Sequence, residues 1–308
     1  MRKIAFVLAA LLAAPFAAHA ETAEGGWEVD FEGIVGYGTA APFANTEFTL
    51  KYDDFAGATI APAYWDKELS LEQVFLFVQS EEGRLEIGWT YNMARKLGVI
   101  PPDVGPLNLN DEYLFLNSKF LHSAKINTDG NSIKLNFMSD IAEGLVLAAS
   151  YDPDRTDISK RNESENYRNF ERLYAAAAKY DIGDVAFSGG IVRFDKWGGG
   201  SDRYEYQLGA KYYEKGFQVA AAWRYVPMAG DAAFSVGGAY EFGPIEASLT
   251  QFSSRMTKDW ASVSMLSGKY KISKTFAISA SVGREAYIYE EGLGRTGIVA
   301  GGGLSINL

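Results

Sequence analysis

The sequence predicts an all-β protein, a sixteen-stranded antiparallel β-barrel that crosses a membrane. Three observations carry this. The N-terminus looks like an export signal, and no later stretch is apolar enough for a membrane helix. Apolar and polar residues alternate in segments of about ten. The second half repeats a hairpin-sized unit of about thirty residues.

Composition narrows the class. The 308 residues are 47% hydrophobic, yet the mean hydropathy is close to neutral, which argues against a bundle of membrane helices. The chain has no Cys, which excludes a disulfide scaffold, a Cys-ligated metal site and a thiol nucleophile. A net charge of −10 is poorly suited to general nucleic-acid binding, which needs clustered Lys and Arg.

Residues 1–20 read as a signal peptide: Arg2 and Lys3 form a basic start, residues 4–14 are apolar, and Ala18-His19-Ala20 is an A-x-A-like cleavage site. Its removal leaves 27 basic against 39 acidic residues, a net charge of −12, and a mature chain of residues 21–308. An exported chain with alternating strands and no membrane helix fits an outer-membrane barrel, in which every backbone group is paired between strands.

The strands read, in order, as 27–37, 46–52, 57–65, 69–79, 84–92, 131–139, 144–151, 172–180, 185–195, 203–213, 217–225, 232–242, 245–253, 260–272, 275–288 and 295–308. The first sets Trp27, Val29, Phe31, Val35 and Tyr37 against Glu28, Asp30 and Glu32. The fourth is apolar on both faces, so one of its faces should pack against protein. In the second half Tyr180, Tyr212, Tyr240 and Tyr270 recur at spacings of 32, 28 and 30 residues, each just before a short turn. An amphipathic ring at that place marks a membrane interface. An even strand number puts both termini on one side, with tight turns after every second strand.

Parity then assigns the wet face. If the girdle tyrosines face lipid, Lys179, Lys211 and Lys269 face the lumen, as do Lys51, Arg84, Lys134, Arg224, Glu28, Asp30, Glu32 and Glu86. The energetic reason is that Lys or Arg at the lipid midplane costs about 2–4 kcal/mol, whereas in the lumen it stays hydrated.

Three stretches carry a resemblance to a known family. Glu72-Gln-Val-Phe-Leu-Phe-Val-Gln-Ser-Glu-Glu-Gly-Arg-Leu-Glu-Ile-Gly-Trp89 looks like the hairpin before a constriction loop. Gly130-Asn-Ser-Ile-Lys-Leu-Asn-Phe-Met-Ser139 with Gly144-Leu-Val-Leu-Ala-Ala-Ser-Tyr151 looks like the hairpin after it. Gly268-Lys-Tyr-Lys-Ile-Ser-Lys-Thr275 looks like the turn before the penultimate strand. Together with the strand number they make the chain resemble the Gram-negative general porins. One departure is that porins usually end in Phe and this chain ends in Leu308.

The resemblance implies that the long connection at about 93–130 is a third loop folded into the barrel, with Asp103, Asp111 and Glu112 pointing into the channel. Leu114, Phe115, Leu116, Phe120 and Leu121 would anchor it to the wall. It also implies a homotrimer in the outer membrane of a Gram-negative bacterium, touching lipid and lipopolysaccharide and passing small solutes and ions without a cofactor. In that family basic wall residues face an acidic loop. Here the first strand offers three acids instead, which with the net −12 suggests a pore that prefers cations.

Other signals are weaker. Gly292-Leu-Gly294-Arg-Thr-Gly297 matches a nucleotide-binding glycine pattern but lacks the strand-to-helix context. Asp152-Pro-Asp154-Arg-Thr-Asp157 reads as a solvated loop rather than a cation site. His122 and Ser123, the one mature His and its neighbour, point to opposite faces if they share a strand, so a lipase-type pair as in outer-membrane phospholipase A is disfavoured. The chain therefore reads as a non-enzyme, and a non-conducting structural or adhesive barrel is the rival to a pore.

Overall fold

The computed structural model describes residues 26–38, 42–53, 55–65, 68–107, 133–153, 172–195, 201–227, 231–256, 259–288 and 294–307. It contains sixteen strands: β1 Trp27–Gly38, β2 Pro42–Tyr52, β3 Ala56–Trp65, β4 Glu68–Ser80, β5 Gly83–Trp89, β6 Ile133–Ala142, β7 Leu145–Asp152, β8 Arg172–Ile182, β9 Val185–Asp195, β10 Arg203–Glu214, β11 Phe217–Val226, β12 Asp231–Phe242, β13 Ile245–Met256, β14 Asp259–Lys271, β15 Phe276–Ile288 and β16 Gly294–Asn307. Each pairs antiparallel with its neighbours in sequence, and β1 pairs with β16 to close the barrel. Closure leaves no open strand edge, which is what a sheet spanning lipid requires.

The two faces are inverted relative to a water-soluble protein. Leu135, Phe137, Leu208, Leu249 and Leu266 are exposed on the outside, while their neighbours Lys134, Asn136, Gln207, Ser248, Thr250 and Ser267 are buried on the inside. Tyr180, Tyr240 and Tyr270 lie exposed on the outer face beside the short turns, and the half-buried Tyr212 donates its hydroxyl to Glu214 at 2.6 Å. The short turns follow β2, β4, β6, β8, β10, β12 and β14, as the alternation predicts. At Lys215-Gly216 both residues have positive φ, the backbone of a two-residue hairpin turn that matches strand twist.

Four boundaries differ from the sequence reading by three residues or more: β6 runs on to Ala142 rather than 139, β13 to Met256 rather than 253, and the other two are the start of β2 and the end of β5. Strand β2 starts at Pro42 rather than 46 and pairs with β1 from there. Strand β5 ends at Trp89 rather than 92. There the chain leaves the sheet because Thr90 donates to Gln73 (3.0 Å) and Asn92 caps a short helix, α1 (Met93–Leu97), accepting from the Arg95 amide at 3.0 Å. Pro62 is accommodated where the β3–β4 ladder shifts register between Ala61 and Pro62. The double apolar face of β4 is accounted for: Leu76 and Val78 face out, and Phe75 and Phe77 are buried inside.

Outer-face polarity is the constraint most easily tested. We predict that Leu266→Arg lowers folding stability in lipid vesicles by about 2–4 kcal/mol, while Lys269→Arg on the wet face stays within about 0.5 kcal/mol. Reversible urea unfolding in vesicles measures both.

Candidate functional site

After β5 the chain turns into the barrel and runs along its inner wall. Its backbone is fastened strand by strand to short hydroxyl side chains. The Met93 amide donates to Ser150 on β7 (2.7 Å) and the Val99 amide to Ser188 on β9 (2.7 Å). On β13, Thr250 donates to the Pro102 carbonyl (2.9 Å) and Ser248 accepts from the Val104 amide (3.1 Å). On β14, Ser267 donates to the Asp103 carboxylate at 2.8 Å. Ser and Thr suit this wall because they satisfy loop N–H and C=O groups that would otherwise be cut off from water.

Glycine supplies the remaining clearance. A Cβ at Gly209 would sit 2.5 Å from the Val99 carbonyl, and one at Gly301 would sit 2.7 Å from the Leu107 side chain. Between these fastenings Ala94 packs with Leu173, Val192 and Phe194, and Leu107 with Val263, Met265 and Val299. The segment 93–107 thus covers the inner wall from β7 round to β16. The wall of β1 to β5 keeps an open cavity of about 480 Å³, lined by Asp30, Glu32, Glu47, Thr49, Lys51 and Arg84 among others.

Charges on that wall are organised. Lys51 pairs with Asp30 across β1 and β2. Glu86 receives Arg84 (3.0 Å), Lys96 from α1 (2.5 Å) and the Asn136 amide (3.1 Å). The Arg84 guanidinium lies 3.9 Å from the centre of the Phe77 ring, and Lys96 lies 4.3 Å from that of Phe75. On the far wall Glu205, completely buried, takes Arg203 (2.9 Å) and Arg224 (3.3 Å). Beside the short turns Lys179 pairs with Asp181 (2.8 Å) and Lys269 with Glu246 (3.8 Å).

The sequence-predicted wall residues fall on the inner face: Lys134 is fully buried, Arg224 and Glu86 nearly so, Lys211 lies 5.9 Å from the Tyr213 ring centre, and Glu28 sits exposed opposite Lys51. Asp103 is drawn to the wall, where its Oδ1 accepts from both Ser267 and the Gly105 amide (3.1 Å). Asp111, Glu112, the anchors Leu114, Phe115, Leu116, Phe120 and Leu121, and His122 lie outside the described residues. Ala94, Val99, Ile100 and Leu107 anchor the described part of the loop.

Sequence reasoning missed Glu47, Lys96, Asn136, Arg203 and Glu205. Parity was the available signal for four of them, since Glu47 shares a face with Lys51, Asn136 with Lys134, and Arg203 and Glu205 with Lys211. The serine and glycine track on the inner face also follows parity, but what it binds is not written locally.

The sequence profile of the family described as Gram-negative porin matches residues 36–287. No curated protein sequence matches the chain. Among solved structures, OmpF of Salmonella typhi in complex with daunomycin has a TM-score of 0.66 at 12% identity, over 92% of this chain and 98% of that one. An anion-selective porin from Comamonas acidovorans gives 0.63 at 13%, over 92% and 100%. The outer-membrane channel DcaP of Acinetobacter baumannii gives 0.63 at 10%, over 92% and 98%. At these identities the likeness is one of fold.

The fastening of the loop has a measurable consequence. Ser248→Ala removes the acceptor of the Val104 amide, a bond worth about 1 kcal/mol. Hydrogen exchange at Val104 is then predicted to accelerate about fivefold, with the amide of Met93 unchanged.

Proposed function

The chain belongs to the Gram-negative porin family, and from that premise we propose that it forms a water-filled pore through which small hydrophilic solutes and ions diffuse passively, with a preference for cations. Family and fold place it in the outer membrane as a diffusion channel. The single observation that supports an open pore is the one-sided course of the described part of the loop. Residues 93–107 are bound to the wall from β7 to β16, and a cavity lies against β1 to β5.

In this reading the inner charges named above line the path of the solute, and Tyr180, Tyr212, Tyr240 and Tyr270 sit at the periplasmic lipid interface. Residues 1–20 direct export and are removed. The working assembly is a homotrimer embedded in lipid and lipopolysaccharide, and catalysis plays no part. The cation preference draws on the mature net charge of −12 and on the acids of β1. Selectivity must come from side chains, because the anion-selective porin from Comamonas acidovorans shares the barrel shape.

Planar-bilayer recording tests the reading. We predict discrete conductance steps in KCl and, across a tenfold KCl gradient, a reversal potential of cation-selective sign. Absence of steps would favour a closed structural barrel, and an anion-selective sign would refute the cation preference while leaving the pore.

A further inference from the structure

Most of the described charges on the open wall are held in opposite-sign contacts, whereas two carboxylates face each other. Glu32 on β1 and Glu47 on β2 are direct cross-strand partners and line the same cavity. Like charges directly opposite on neighbouring strands destabilise a sheet. The cations around them are committed elsewhere: Lys51 to Asp30, Arg84 to Glu86 and Gln79, and Lys96 to Glu86. Glu47 interacts electrostatically with Arg84 and Lys96 from a distance, and among the described residues neither Glu32 nor Glu47 forms an ion pair or a hydrogen bond.

The resemblance implies an acidic loop facing a basic wall. Here the described part of the loop brings Arg95 and Lys96 as well as Asp103, and the open wall brings Glu32 and Glu47 beside Lys51 and Arg84. Among the described residues no three His, Cys, Asp or Glu side chains converge to chelate a metal. Counter-cations drawn from solution would lower the repulsion between the two carboxylates. Fixed charges of one sign on a low-dielectric wall focus the field and raise the local concentration of the opposite ion.

We propose that Glu32 and Glu47 are the specificity-determining residues of this channel, a carboxylate pair that concentrates small cations, inorganic or primary ammonium, along the open wall facing the docked loop. The proposal rests on the diffusion-channel reading and assigns its selectivity to two residues. Cations pass along β1 and β2, screened from the basic groups by the pairs those groups already form. The effect weakens with ionic strength because the carboxylates are reached by solvent.

The test compares K⁺ over Cl⁻ permeability ratios from reversal potentials at about 0.1 M salt, where screening extends only about 10 Å. The proteins are the full chain, the double variant Glu32→Gln/Glu47→Gln, the conservative Glu32→Asp/Glu47→Asp, and Glu28→Gln, which removes an acid from the same strand nearer its end. The amide variant is isosteric and relieves repulsion, so its thermal unfolding should be unchanged or higher. We expect the ratio to fall about threefold in the amide variant, to be kept in the Asp variant, and to fall less in Glu28→Gln. A conducting wild type whose ratio the amide variant leaves unmoved overturns this proposal alone, as does an equal fall in Glu28→Gln. A wild type without conductance overturns the channel reading and this proposal with it.

Discussion

In hydrocarbon no backbone N–H or C=O can be left without a partner, and the rest of the structure depends on that constraint. A sheet meets it only by closing, as β1 does on β16. Closure fixes side-chain direction with a period of two, so each residue faces lipid or the lumen. The two faces therefore differ within a single strand such as β14, which carries Trp260, Leu266 and Tyr270 outside and Ser267 and Lys269 inside. Near-neutral mean hydropathy in a chain that is 47% hydrophobic is the average of those two faces.

The same constraint governs the loop. A segment entering the lumen carries its own amides and carbonyls, and where it presses against the wall water cannot reach them. Ser150, Ser188, Ser248, Thr250 and Ser267 supply what water would have supplied. Gly209 lets the Val99 backbone approach the wall closely, and Gly301 makes room for the Leu107 side chain. Two roles are thus divided around one circumference. From β7 to β16 small residues receive the loop, and on β1 to β5 larger charged residues face the remaining space.

Much of this was legible in the sequence, and the limits have physical causes. All sixteen strands were readable because alternation is local and the lipid face enforces it. Trp89 as the end of β5 was not, because the break depends on Gln73 and Asn92, hydrogen bonds made after the chain has turned. Wet-face parity placed Lys134, Arg224 and Glu86 inside, yet it cannot reveal pairing: that Glu86 joins Arg84 to Lys96 requires the loop in place. The sequence directs Asp103 at the channel, whereas its carboxylate accepts from Ser267, 164 residues away. Glu47 went unnoticed because a single acid among Thr46, Phe48 and Thr49 has no signature of its own. It acquires one only when the register sets it against Glu32.

In the proposed channel the open path lies against the wall of β1 to β5, inside the barrel. The absence of native cysteine makes cysteine accessibility a direct measurement of it. Current through single Glu47→Cys and Leu50→Cys channels would be recorded during exposure to a charged, membrane-impermeant thiol reagent. A stepwise fall in current is expected for Glu47→Cys and none for Leu50→Cys, whose side chain faces lipid. No change at Glu47→Cys, or the same fall at both positions, would contradict it.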